Sequence, residues 1–360
     1  MSELRACVEA AERLRAQGST CLIATVVDVQ GSSYRKRGAR MVFSEERWLA
    51  GSVSGGCLER DILAKGAYRT RDGRAHVATY DALTDERSGS GCDGVIDVLI
   101  ERGAASAEQL TDPLNFASRC LRDETYGVFA TVFRSARADV MVGAHHAELA
   151  SGERKSQLPP LLLERLESSI ERAFHTGRSF CVRLDDCELL VERIGPPIHL
   201  FIFGGAHDAV PLLQFAKDLG WTVSVCEPHA AWSSRERFRA ADHHRVGPLP
   251  QAIAALQACA RPAAVVMAHH YERDLAALGA LLGSRCPYIG LLGARKRAAR
   301  LLDDLAARGI HADGRVHAPV GLAIAAESPQ EIALAIAAEV QAELGARALA
   351  TPRDCLAKPA

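Results

Sequence analysis

After Gly195-Pro196-Pro197 the chain settles into a strict alternation, and that alternation leaves few architectures open. Short apolar runs at 199–203, 222–226, 263–270 ("AAVVMAHH") and 288–293 ("YIGLLG") are separated by segments of helical period at 208–219, 251–259, 271–282 and 296–307. In the first of these helices Val210, Leu213, Ala216 and Leu219 recur on one face. A long Ala-rich helix is expected over 329–344. Strands that are apolar throughout, interleaved with amphipathic helices, require a parallel sheet covered on both faces. The prolines end whatever precedes them, so a domain boundary is placed near 195.

The first half is less regular. Residues 21–31, 39–45, 95–103, 126–135 and 138–143 read as strands, with helices at 2–17, 58–69 and 105–121. A hairpin turned at Asp185-Asp186 is expected over 179–194. The fold class is therefore α/β: an N-terminal α+β domain over 1–195, with a linker and hairpin region near 151–195. A Rossmann-like doubly wound parallel sheet follows over 196–345, and a C-terminal tail over 346–360.

Composition narrows the function classes. The 43 basic and 44 acidic side chains nearly cancel, which removes the electrostatic case for nucleic acid or an anionic membrane. No apolar run approaches the ~20 residues of a membrane span. The N-terminus carries charges throughout and reads as an amphipathic helix with Leu4, Val8, Ala11 and Leu14 on one face, not as a signal peptide. The eleven cysteines include no C-x-x-C pair, which points to a reducing compartment and away from a zinc ribbon or disulfide scaffold. No metal ligands and no catalytic residues are assigned.

Several motifs carry candidate chemistry. "HLFIFGGAHDA" is a strand, a tight turn at Gly204-Gly205 and a helix start, the geometry that seats a pyrophosphate on a helix N-terminus. Glu227 closes the next strand, where an acid accepts from a ribose hydroxyl. Ala206 and Ala209 occupy the second and third glycine positions of the dinucleotide fingerprint, so a tight turn without a nucleotide is equally open. His207, His269 and His270 should meet at the ligand-facing strand edge. Gly290 and Gly293 flank a strand end, followed by Arg295, Lys296 and Arg297, cations that suit an anion at a helix start. "GSSYRKRGARM" puts Arg35, Lys36, Arg37 and Arg40 in one loop, a weak anion-site signal. "GSVSGGCLERD" and "GSGCDGVIDV" each set one cysteine among glycines, Cys57 near a helix start and Cys92 before a strand. Either thiol can be a reactive group, a soft ligand or simply a small buried residue.

These motifs, together with "HAPVGL" and "ESPQEIALAIAAE", occur in an order that resembles the XdhC/CoxI family of xanthine dehydrogenase accessory factors over nearly the whole chain. The resemblance implies a cytoplasmic, dimeric maturation factor. Such a factor binds the molybdenum cofactor (molybdopterin), keeps it while a cysteine desulfurase installs its sulfido ligand, and passes it to a molybdenum hydroxylase apoenzyme. It also implies cofactor-binding roles for Gly55, Gly56, Glu59, Gly91, Cys92 and Gly94, with Arg40, Gly204, Gly205, His207, Glu227, His269, Gly293 and Arg295 as further candidates. Of the two cysteines, Cys92 matches one the family usually has. Three departures stand out: Tyr34 where proline is frequent, Gly205-Ala206 in place of Ala-Gly, and Ala323 and Ala325 where Asp and Gly are common. The competing expectations are an NAD(P)-dependent oxidoreductase using the Rossmann domain and an interaction scaffold whose Rossmann domain is empty.

Overall fold

The computed structural model describes residues 2–56, 58–81, 94–228 and 236–347. The chain divides into two compact units, one running to Pro196 and the other starting at Pro197.

The first unit holds two five-stranded antiparallel sheets. One orders β3 (Trp48–Gly51), β2 (Arg40–Phe43), β1 (Leu22–Gln30), β5 (Val95–Arg102) and β4 (His76–Asp81). The other orders β8 (Arg154–Ser156), β7 (His145–Leu149), β6 (Gly127–Ser135), β10 (Cys187–Ile194) and β9 (Phe180–Leu184). Around them lie α1 (Ser2–Ala16), α2 (Glu59–Arg69), α3 (Pro113–Arg122) and α4 (Pro160–Thr176). Strand β1 is buried on both faces. Leu22, Ala24 and Val26 share a cluster with Leu58 and Ile62 at α2, whereas Ile23 packs with Val8 and Leu14 of α1 and with Phe129 of the second sheet. That is why β1 reads as a continuous apolar run and not as an alternation.

Charge bridges the two sheets as well. The Arg40 guanidinium donates to both carboxylate oxygens of Glu192 at 3.1 and 2.6 Å, with both side chains about 95% buried. Removing either partner alone would leave an uncompensated interior charge.

Two expectations are corrected here. Residues 138–143 form no strand; the strand is β7, whose His145, His146 and Glu148 are buried despite their polarity. The helix expected from 105 begins at Pro113, because the Asp112 carboxylate accepts from the Leu114 and Asn115 N–H groups and caps it there.

The second unit is a six-stranded parallel sheet. Its order is β13 (His243–Val246), β12 (Thr222–Glu227), β11 (His199–Phe203), β14 (Pro262–Val266), β15 (Ile289–Leu291) and β16 (Val316–His317). Numbered within the unit this is 3-2-1-4-5-6, the doubly wound order whose direction reverses between β11 and β14. On one face α5 (Ala209–Asp218) and α9 (Pro329–Arg347) pack against Leu200, Ile202 and Val223. On the other, α6 (Leu249–Gln257), α7 (Tyr271–Leu282) and α8 (Arg295–Ala306) cover Phe201, Val266 and Ile289. No helix of the described residues is long and apolar enough to cross a membrane.

Candidate functional site

At one end of the first sheet β1 finishes, β3 finishes and β5 begins, so three of the sequence motifs meet there. Glu59, 2% exposed at the start of α2, reaches back into the preceding loop. Its carboxylate accepts from the N–H groups of Val53 (2.8 Å), Ser54 (2.8 Å), Gly55 (3.2 Å) and Gly56 (2.8 Å), and from the Ser52 (2.9 Å) and Ser54 hydroxyls. Burial alone would raise this carboxyl, but the donors, led by Ser54, win and hold it at about 2. Gly55 and Gly56 have φ of 97° and 128°, which suits the tight wrap. A Cβ at Gly94 would come 2.3 Å from the Ser32 carbonyl oxygen, so the chain entering β5 lies directly on the "GSSYRKRGARM" loop. Tyr34 of that loop lies beside Gly55, its ring 3.3 Å from where a Cβ would stand.

The loop's cations are largely engaged within the protein. Arg35 pairs with Glu3, Arg37 with Asp28 at 2.7 Å, and Arg40 with Glu192. Cys57, Gly91 and Cys92 lie outside the described residues.

The Rossmann edge is built differently. Gly204 has φ 131°, and a Cβ there would stand 2.5 Å from the Met267 carbonyl oxygen and 2.7 Å from the Ala268 Cα. The first turn therefore presses against the end of β14 at the point where strand order reverses. A Cβ at Gly205 would lie 2.8 Å from the Glu227 carboxylate, and Arg237 donates to the Gly205 carbonyl at 3.2 Å. The third fingerprint position, Ala209, is fully buried in the α5 core, where a methyl group suffices for close helix–sheet packing.

Beside this turn opens a cavity of about 550 Å³. Phe203, Val246 and Leu249 supply apolar wall, and Glu227, His244, Arg245, Gln251 and Arg273 supply polar groups. A largely apolar cavity at the carboxyl edge of the sheet with a few convergent polar groups is the usual form of a small-molecule site. Across the reversal point His269, itself at φ 55°, pairs through Nε2 with Asp208 Oδ2 at 2.7 Å. His207 and Arg295 are exposed on the same unit, and Gly293, at φ 139°, precedes α8. Arg297 turns away from solvent to the fully buried Asp274, which also accepts from the Ala268 N–H at 3.0 Å.

The structure thus gathers Gly204 and Glu227 at one cavity, with Gly205 packed beside Glu227, and Gly55, Gly56, Glu59 and Gly94 at a separate loop cluster in the other unit. Sequence reasoning passed over Arg245 and Arg273. Arg245 sits on β13, a strand too polar to announce itself, and Arg273 sits in the first turn of α7.

Two family comparisons decide what kind of chain this is. The XdhC Rossmann domain matches residues 200–340, and the XdhC and CoxI family matches residues 14–81. The chain belongs to the XdhC/CoxI family. A protein of Bacillus subtilis (strain 168) named as a probable xanthine dehydrogenase subunit is 29% identical over 329 residues, covering 89% of this chain and 92% of that protein. "Uncharacterized protein YqeB" of Escherichia coli (strain K12) is 30% identical over 189 residues, 49% of this chain and 34% of that protein. The crystal structure of a xanthine dehydrogenase from Bacillus halodurans superposes with a TM-score of 0.77 at 26% identity, covering 95% of this chain and 96% of that one.

In this XdhC/CoxI chain most of the described thiols are unsuited to covalent chemistry. Burial pushes Cys7, Cys21, Cys120, Cys181 and Cys226 up to about 12. At pH 8 roughly one part in ten thousand of each is thiolate, the form that reacts. Iodoacetamide at pH 8 followed by peptide mapping should leave these five unmodified in the folded protein and modify them in guanidinium. Rapid labelling of any of the five in the folded state would refute this.

Proposed function

We propose that the chain is a maturation factor for a molybdenum hydroxylase. It binds the molybdenum cofactor as cargo, holds it while a cysteine desulfurase installs the sulfido ligand, and delivers it to the apoenzyme. It acts in the cytoplasm as a homodimer. The observation that carries this reading is the 550 Å³ cavity at the reversal point of the parallel sheet, in a chain whose relatives bear xanthine dehydrogenase names.

The cavity's chemistry suits such a cargo. A pterin phosphate carries an anion at one end and a hydrogen-bonding heterocycle at the other. Arg245 and Arg273 match the phosphate, Glu227 and Gln251 the heterocycle's donors and acceptors, and the apolar wall its faces. Four buried thiols, Cys7, Cys21, Cys120 and Cys226, are held protonated, which favours a binding role over covalent turnover for these residues.

The test is retention of purified molybdenum cofactor under anaerobic, reducing conditions, read as metal and pterin in the filtered protein. Near-stoichiometric retention is expected, with Arg245→Ala weakening it by about tenfold. No retention, or retention indifferent to Arg245→Ala, would overturn the crevice reading. A second reading, an NAD-type oxidoreductase, draws on Glu227 at the end of β12, the ribose position of dinucleotide folds. Ala206 at the second fingerprint position speaks against it, and NAD(P) binding without cofactor retention would promote it.

A further inference from the structure

Cys259 follows the last turn of α6 in the second unit and is not part of the crevice wall. The residue is half-buried, and its Sγ lies 3.1 Å from Nδ1 of His199, the first residue of β11. The imidazole is buried and held from its other side, with Nε2 2.9 Å from the Ser224 hydroxyl on β12. Its ring stacks on Phe201 at 4.5 Å and on His243 at 5.7 Å. Ser224 is fully buried, and its oxygen also accepts from Arg245 Nε at 3.3 Å. One run of contacts therefore leads from the thiol through His199 and Ser224 to an arginine that does line the crevice.

A thiol, a base within hydrogen-bond reach and a third group that orients the base make the arrangement of an activated nucleophile. A proton on Nε2, donated to Ser224, leaves Nδ1 to accept from the thiol. The surroundings make that acceptor necessary. Cys259 sits at the C-terminal end of α6, and its thiol also reaches the Ala255 carbonyl oxygen at 3.3 Å; both disfavour a bare thiolate. The same helix end favours a cation, so the proton is well placed once it rests on the imidazole. Cys259 is thus equipped to react with its proton passing to His199 as the new bond forms. Cys7, Cys120 and Cys226, by contrast, are pushed up to about 12 by burial.

We propose that Cys259 is a sulfur-acceptor site, loaded by a persulfide donor with His199 as its base and Ser224 as the group that positions that base. The choice of a persulfide as the electrophile rests on the reading of this chain as the place where a sulfido ligand is installed. The step balances without an oxidant or a reductant. Cys259 Sγ attacks the outer sulfur of the donor, forming a new S–S bond, and the donor's own S–S bond breaks. The Cys259 proton goes to His199 Nδ1 and from there to the departing thiolate. The products are a Cys259 persulfide and the donor's free thiol.

Glutathione persulfide, supplied without oxygen to the full chain free of cofactor, tests it, with loading followed by mass spectrometry of the cysteine peptides. The Cys259 peptide should gain one sulfur atom, at least about tenfold faster in the folded chain than in the chain unfolded in guanidinium. A thiol merely packed beside a histidine would load more slowly when folded. His199→Gln should remove most of the advantage, and Ser224→Ala should reduce it several-fold, because the imidazole loses its orienting partner. Sulfur that misses Cys259, a folded rate no higher than the unfolded one, or an unchanged folded rate in His199→Gln would overturn the proposal. Should His199→Gln fail to fold, an unchanged rate in Ser224→Ala overturns it instead. Cofactor retention that depends on Arg245 is read separately. Retention without loading sinks the Cys259 site alone, and loading without retention sinks the crevice reading alone.

Discussion

Glu59→Gln is expected to cost about 3 kcal/mol at neutral pH, because the native carboxyl is held down from 4.5 to about 2. The cause is physical and local. One buried carboxylate collects four backbone N–H groups and two hydroxyls, and the amide isostere loses the charge and turns its own N–H toward those donors. The group's folded value lies below its unfolded one, so its stabilisation is complete above about pH 5 and disappears as pH falls from about 4.5 to 2. Urea unfolding of wild type and variant should therefore differ by about 3 kcal/mol at pH 7, and the two curves should converge only as pH falls to about 2 and below. A gap of the same size at low pH would mean that the carboxylate is not the source. The consequence reaches beyond stability. Without Glu59 the Ser52–Gly56 loop has no common anchor, and the adjoining Tyr34 loses the surface it lies against.

Gly204→Ala should be still more damaging, upward of about 3 kcal/mol. The position combines a left-handed φ of 131° with a backbone oxygen only 2.5 Å from where the new methyl group would stand, and neither can relax without moving the end of β14. Gly56→Ala is the matched control. It has nearly the same φ, 128°, but nothing within 4 Å, so it should show conformational strain only, about 1–2 kcal/mol. Because Gly204 lines the crevice, its replacement should also abolish retention there, whereas Gly56→Ala should leave the crevice intact. Equal losses at the two positions, measured by thermal unfolding, would show that the contact with Met267 carries no energy.

The second unit was easy to read because its central strands are buried on both faces. His199–Phe203 and Tyr271–Leu282 coincide with the expected limits, and the other helices differ by a few residues at their ends. The edge strands escaped for the opposite reason. His243–Val246 and Val316–His317 are short, polar and half exposed, so they carry no apolar signature. In the first unit, β7 lies beyond the expected strand because its buried positions include polar side chains, among them His145 hydrogen-bonded to Glu101, and hydropathy cannot see a buried polar group. Helix α4 starts at Pro160, inside the stretch read as a linker, because the polar, proline-ended run at 151–160 hides the helical pattern that follows it.

The site was legible in part. The glycine turn and Glu227 announced the crevice, but the arginines facing it come from β13 and α7, and only the folded sheet brings them to one cavity. Glu59 is singled out by the resemblance of its turn, Gly55-Gly56-Cys57-Leu58-Glu59, to the family's. Its office as the anchor of the whole loop depends on six donors that no spacing rule predicts.

The most direct test of the maturation role is transfer itself. A purified molybdenum hydroxylase apoenzyme would be incubated with cofactor-loaded chain, and its substrate oxidation followed over time. The account predicts that activity appears with the loaded chain, exceeds that given by an equal amount of free cofactor, and falls at least about tenfold when Arg245→Ala is used. Activation no better than free cofactor, or an apoenzyme that stays inactive while the chain keeps its cargo, would contradict it.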